Sequence, residues 1–196
     1  KRELAAEVAA VLSLAATRHR DRVGALFYSD RIEWFAPPKS GRRQALSVVS
    51  QVLAFEPEGT GTDLLGTLDY LEPVLRQRAA VVLLSDFLDR SQWPGLDRLA
   101  HRHDVMAMQL TDPRERELPD VGLVTLLDPE TGDWQVIDAD RPGIRDSYRA
   151  ARAEFDEAFA LHCNRAGVDL LRLDTDHPYG ERLAAFEQHL HGLVAQ

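Results

Sequence analysis

A single cysteine, Cys163, stands among 196 residues, so an internal disulfide and a thiolate zinc cluster are both excluded. Long apolar runs are equally scarce. The longest, Ala79 to Leu84, suits a buried strand and falls far short of the roughly 18 residues that cross a bilayer. Lys1 to Arg20 carries charges throughout and does not read as a signal peptide. No Gly-x-x-x-x-Gly-Lys-Ser/Thr loop is present to cradle a nucleotide phosphate, and no Gly-x-Ser-x-Gly elbow to present a nucleophile. Basic charge is in deficit, with 23 Lys and Arg against 32 Asp and Glu and a formal net charge of -9. Nucleic-acid binding needs clustered cations to neutralise phosphates, so that partner class is not expected. The hydrophobic share of 44% and charged share of 28% are those of a chain able to bury a core. A single cysteine and no leader fit a cytoplasmic protein.

What is present alternates between two periods. Leu4, Val8, Leu12 and Ala15 predict a helix over Lys1–His19. Nothing before Lys1 could cap it, so the chain is expected to be N-terminally incomplete. Val23 to Tyr28 reads as a buried strand, Ile32 to Phe35 as its hairpin partner, and Pro37-Pro38 with Gly41 as a loop. Helices follow over 43–54, with Leu46, Val49, Val52 and Leu53 apolar, and over 63–76, with Leu64, Leu68, Leu71 and Val74 inward. Ala80 to Leu84 is the clearest central strand. Leu96 to His101 reads as a helix, Val105 to Leu110 as a strand, and 122–127 with 134–137 as a hairpin around Asp128 to Asp133. Helix 143–166, strand 168–173 and a last helix over 179–194 complete the chain. Strands separated by helices predict one α/β domain over 1–196, a Rossmann-like, mainly parallel sheet with helices on both faces and an added β-hairpin.

In open α/β sheets, ligands gather at the carboxyl ends of the strands. Asp86 ends the central strand, and Thr62 lies in Gly59-Thr60-Gly61-Thr62-Asp63, just before a helix. A carboxylate and a hydroxyl brought together there are hard oxygen donors suited to Mg²⁺ or Mn²⁺. Each has a plain structural reading: Thr62 or Asp63 as a helix cap, Asp86 as the cap of a short helix beginning at Phe87. Asp86 and Asp89 as paired carboxylates would suit a metal-dependent phosphoesterase, although no general base stands near them in sequence and Asp89 reads as a cap. His162 and Cys163 are adjacent on a helix and do not face one another. Cys163 reads as a buried apolar residue, and His101 and His103 as surface or helix-terminal ones. Asp174, Asp176 and His177 read as a turn and capping cluster.

The series Asp21-Arg22-Val23-Gly24-Ala25-Leu26, Gly61-Thr62-Asp63-Leu64 and Leu83-Leu84-Ser85-Asp86-Phe87-Leu88 resembles a bacterial branch of the von Willebrand factor A domains. That branch is the family known as domain of unknown function fifty-eight. The resemblance continues through Arg102 to Val105, Thr111 to Glu115 and Leu127 to Gly132. It implies a von Willebrand factor A-like fold and a metal-ion-dependent adhesion site in which Thr62 and Asp86 bind the metal. The Asp-x-Ser-x-Ser segment that supplies the remaining ligands has no match here; it and the first strand are expected upstream of Lys1. The resemblance implies a protein-binding module rather than an enzyme, assisting a MoxR-type AAA+ ATPase in assembly or maturation of a protein complex. The alternatives are the Asp86/Asp89 hydrolase and a structural interaction domain with a vestigial metal site.

Overall fold

The structure is a computed structural model and describes residues 1–127, 133–176, 178–180 and 183. Helix α1 (Arg2–His19) leads into β1 (Arg22–Tyr28) and β2 (Ile32–Ser40), then helices α2 (Arg42–Ala54) and α3 (Leu64–Val74). Strand β3 (Ala80–Ser85), helix α4 (Pro94–Ala100) and strand β4 (Asp104–Thr111) follow. A hairpin, β5 (Leu123–Leu127) and β6 (Trp134–Asp138), precedes helix α5 (Ile144–Ala166) and strand β7 (Asp169–Asp174). Of the last helix expected over 179–194 only Tyr179, Gly180 and Leu183 are described, with Leu183 N–H donating to the Tyr179 carbonyl at 2.8 Å, and the 128–132 turn and His177 lie outside the described residues.

Strands β3, β4 and β7 form a parallel sheet in the order β3-β4-β7, as alternation with helices requires. Its strands read almost continuously apolar because both faces are covered. On one face Val105 and Ala107 of β4 pack with Leu64, Leu68 and Leu71 of α3, Leu96 and Leu99 of α4, and Phe159 and Cys163 of α5. On the other face Met106, Met108 and Leu110 meet Leu4 and Val8 of α1. Single-residue alternation along β4 therefore sends its side chains to two separate cores.

Several expectations need correction. Ala80 to Leu84 is not the central strand: β3 is an edge of the described three-stranded sheet and β4 is its centre, while β1, paired with β2 as the expected hairpin, stands apart from that sheet, as does the expected hairpin β5-β6. Pro37 and Pro38 do not begin a loop but lie within β2. A proline lacks only a donor, which the outer edge of a two-stranded sheet does not need. The register shifts between Val23 and Ala25 opposite them, where a Cβ on Gly24 would come within 2.7 Å of the Ala36 carbonyl oxygen. On α2, Ala45 and Val48 are the buried residues, while Leu46 and Leu53 are exposed. They belong to a second apolar stripe that turns outward once α2 packs on α1 and β1.

His103, expected at the surface or at a helix terminus, does follow the end of α4, where its N–H donates to the Leu99 carbonyl at 3.0 Å, but it is buried, and neither ring nitrogen has a hydrogen-bond partner among the described residues. Burial, reinforced by Arg102, lowers its pKa against the opposing pull of Asp104 and Glu72. The unfolded chain protonates first as pH falls, so His103 contributes full stability above about pH 6.5 and loses it below. Urea unfolding of the wild type is expected to show a drop of at most about 1.4 kcal/mol per pH unit from this one proton. In His103→Leu that part of the acid slope between pH 7 and 5 should vanish; an unchanged slope would assign it to other groups.

Candidate functional site

The carboxyl ends of β3, β4 and β7 are where apolar rows give way to polar ones. Ser85, Gln109 and Arg172 share one register row across the three strands. In a parallel sheet, register neighbours point to the same face. Arg172 donates from Nε to the Gln109 side-chain oxygen at 3.0 Å, and Gln109 Nε2 donates to Asp156 Oδ1 of α5 at 3.2 Å. Arg172 also donates to the Asp156 carbonyl at 2.5 Å, and Arg152 pairs with the Asp156 carboxylate at 3.1 Å. Tyr28, at the end of β1, shares a hydrogen bond with Ser85. Desolvation pushes its phenol up to about 12, the Asp86 charge adding to the rise and the Ser85 hydrogen bond opposing it. One row further out, Thr111 and Arg116 both meet the Asp174 carboxylate.

Asp86 follows β3 at the rim. Its Oδ2 lies 2.8 Å from the Lys1 ammonium, which also lies 2.5 Å from Glu115 Oε1. Desolvation disfavours the ammonium, but the hydrogen bonds to Asp86 and Glu115 outweigh it and raise the Lys1 pKa. The three side chains remain about one-third exposed, so this is a solvated rim and not a buried ion pair. Asp86 caps no helix. Phe87 adopts a left-handed backbone at φ 54°, costly for a bulky residue. Phe87 is held there by burial, by a stack on Phe159 at 4.8 Å, and by Trp93 Nε1 donating to the Phe87 carbonyl at 3.0 Å.

Thr62 is exposed, and the cap of α3 is Asp63, whose side chain accepts from Gly66 N–H at 2.8 Å. The Thr62 loop is tied to the β3 exit by Gln92. Its amide donates to the Thr62 carbonyl at 3.0 Å and to Asp89 Oδ2 at 2.7 Å, and its oxygen accepts from Leu64 N–H at 2.5 Å. Upstream, Glu33 accepts from the N–H groups of Glu58 and Gly59 at 3.0 and 2.8 Å, and Asp63 N–H donates to the Ser29 carbonyl at 2.7 Å. Gln92 thus ties the Thr62 loop to Asp89, three residues after Asp86 on the segment that leaves β3. Gln92 is the clamp that sequence reasoning missed; a glutamine beside Trp93 at the start of an apolar helix was the available signal.

Asp89 caps the turn after β3, accepting from Ser91 N–H at 2.9 Å and Ser91 Oγ at 2.7 Å, and these bonds with the Gln92 amide hold its pKa below the usual range. Asp86 and Asp89 therefore serve different partners. His162 lies 3.1 Å from both the Trp93 carbonyl and Asp97, not against Cys163. Burial pushes the Cys163 thiol up to about 12, as suits a packed apolar residue. His101 is exposed and bonds the Asp97 carbonyl at 2.7 Å.

Thr62 and Asp86 are hard donors of the type Mg²⁺ or Mn²⁺ takes, but two are far fewer than the near-octahedral shell Mg²⁺ demands. One carboxylate oxygen already holds Lys1. Among the described residues no group of three or more His, Cys, Asp or Glu is placed to hold a metal. As they stand, these residues do not fit a held divalent cation.

No helix of the described residues is long and apolar enough to cross a membrane. The fold is similar to the crystal structure of the conserved hypothetical protein BatB from Bacteroides thetaiotaomicron. The TM-score is 0.62 at 12% identity, covering 100% of this chain and 89% of that one. An uncharacterised protein of Mycobacterium tuberculosis is 33% identical over 182 residues, 91% of this chain, and one of Mycobacterium bovis matches equally. The chain spans 57% of the length of those relatives. An uncharacterised Mycobacterium avium protein is 34% identical over 146 residues, which are 73% of this chain and 86% of that one. The model of the family described as protein of unknown function DUF58 matches residues 1–158, and the chain belongs to that family.

Proposed function

We propose that this chain is a von Willebrand factor A-like binding module that docks a protein partner on the carboxyl edge of its sheet. The observation that carries the reading is the rim itself. Lys1 lies between the Asp86 and Glu115 carboxylates, all three about one-third exposed, and the exposed Thr62 loop, fixed by Gln92 and Glu33, is tied to the same exit from β3 through Asp89. Such a rim can exchange its internal ion pairs for a partner's charges, while the hydrogen-bonded Gln109, Arg172 and Asp156 beneath brace it. The partner class follows the resemblance: a MoxR-type AAA+ ATPase whose assembly or maturation work this module assists. No bond-breaking step is needed.

The test is calorimetric titration of the chain with a purified MoxR-type ATPase, with EDTA and then with Mg²⁺ or Mn²⁺. Asp86→Ala is expected to weaken binding at least about tenfold, or 1.4 kcal/mol, with the melting temperature held. Binding that Asp86→Ala leaves unchanged, or no binding by the wild type, would sink the proposal. A difference between EDTA and Mn²⁺ that Asp86→Ala removes would favour the metal-dependent form, and equal binding the metal-free one.

A further inference from the structure

The hairpin β5-β6 forms its own two-stranded sheet, paired antiparallel from Leu123↔Asp138 to Leu127↔Trp134. The register puts Leu123, Thr125 and Leu127 on one face with Asp138, Val136 and Trp134. That face is open: Leu123 is 71% exposed, Leu127 65%, Trp134 69% and Val136 47%. Val121, at 68%, extends it toward the chain's approach to β5. The other face carries Val124, Leu126 and Ile137, which are partly covered. A hairpin alternating polar and apolar would bury one face and wet the other. This one presents apolar side chains on both, and a two-stranded hairpin is marginal without a covering partner.

We infer that the Leu123, Leu127, Trp134 and Val136 face of the hairpin is a homodimer interface that packs against the same face of a second copy of this chain. Area is the first argument. The four side chains are 47–71% exposed, and with Val121 they present on the order of 600 Å² per copy, the lower end of the roughly 600–1,000 Å² per partner of a stable interface. Soluble monomers rarely leave so much contiguous apolar surface uncovered. Register is the second. A two-fold axis along the strands lays β5 of one copy over β6 of the other, so Leu127 meets Trp134 and Thr125 meets Val136. Asp138, the one charge on the face, then lies across from Leu123 at the hydrated end and not across from its own copy. The contact closes on itself, and a chain carrying a net charge of -9 meets its copy through a face with one charged residue, Asp138.

Sedimentation velocity of the full chain tests this from about 1 to 100 µM. A mass twice that of one chain is expected, with a dissociation constant in the micromolar range. The double variant Leu127→Ser with Trp134→Ser should sediment as a monomer over the whole range, keep the wild type's far-UV circular dichroism, and lose the concentration dependence of melting temperature that a dimer confers. Gln135, on the opposite face, gives an independent readout. Gln135→Cys carries a spin label while buried Cys163 does not react. Faces stacked about 10 Å apart predict an inter-copy label distance of roughly 20–30 Å. A wild type monomeric at 100 µM, a dimer that the double variant leaves intact, or no inter-copy distance in that window would each overturn the inference.

Discussion

Phe159→Ala is expected to cost about 3–5 kcal/mol of stability, the largest loss of any single truncation considered for this chain. Phe159 sits on α5 with no solvent exposure and is the largest fully buried side chain among the described residues. It stacks on Phe87 at 4.8 Å, lies 5.0 Å from Trp93 and faces the floor of Val105 and Ala107. Removing the ring loses its transfer free energy, leaves a cavity that β4 cannot fill, and forfeits two aromatic contacts worth about 1 kcal/mol each. The loss also reaches the rim. Phe87 keeps its left-handed backbone because Phe159 and Trp93 grip its ring, and Phe87 is the residue after Asp86. Guanidinium unfolding measures the cost. Leu161→Ala, two residues on and half-exposed, is the control and should stay within about 0.5 kcal/mol of wild type. A loss below about 1 kcal/mol for Phe159→Ala would mean that the aromatic cluster does not hold α5 to the sheet.

Much of this architecture was legible because burial and period coincide. Ala80 to Leu84 was readable as a strand, though its apolar run made it look central when β3 is a half-buried edge and β4 the centre, and α1 and α5 keep their stripes over many turns. Asp63 and Asp89 were readable as caps because an N-cap needs only a local acceptor two or three residues before its donor. What stayed hidden depends on register between distant segments. Nothing local distinguishes Glu115 from its charged neighbours; it reaches Lys1 only because the β4 exit turns across the sheet end. Pro37 and Pro38 punctuate a sequence, yet an outer edge of a two-stranded sheet tolerates them. Leu46 and Leu53 repeat at helical spacing as well as Ala45 and Val48 do, and only the position of α1 decides which stripe is inside. The rim was half readable for the same reason: Thr62 and Asp86 announce themselves beside turns, whereas Gln92 and Gln109 are neutral side chains whose roles appear only on folding.

Gln109 carries the second large expectation. It is fully buried near the carboxyl end of the most buried strand, between Met108 and Leu110. Its amide is shared between Asp156 at 3.2 Å and Arg172 at 3.0 Å, so one neutral group satisfies both a carboxylate and a guanidinium inside the α5 face. Truncation to Ala leaves both half-buried ions short of a partner and is expected to cost about 2 kcal/mol. Gln109→Met separates packing from hydrogen bonding, since it restores the length and volume without the amide. If volume were what mattered, Met would recover most of the loss; hydrogen bonding predicts that Met and Ala stay within about 1 kcal/mol of each other. Gln109→Glu sharpens the argument through charge. It keeps the acceptor for Arg172 but sets a second carboxylate against Asp156, so its own pKa should rise above the ordinary value near 4.3. A group whose folded pKa is raised contributes stability below its unfolded pKa and loses it as pH rises through the folded one. Gln109→Glu is therefore expected to approach wild-type stability near pH 4 and to fall progressively behind it toward pH 7, as urea midpoints across that range would register. A deficit independent of pH would show that Asp156 is neutralised by Arg152 and Arg172 alone, and that Gln109 is a spacer between them.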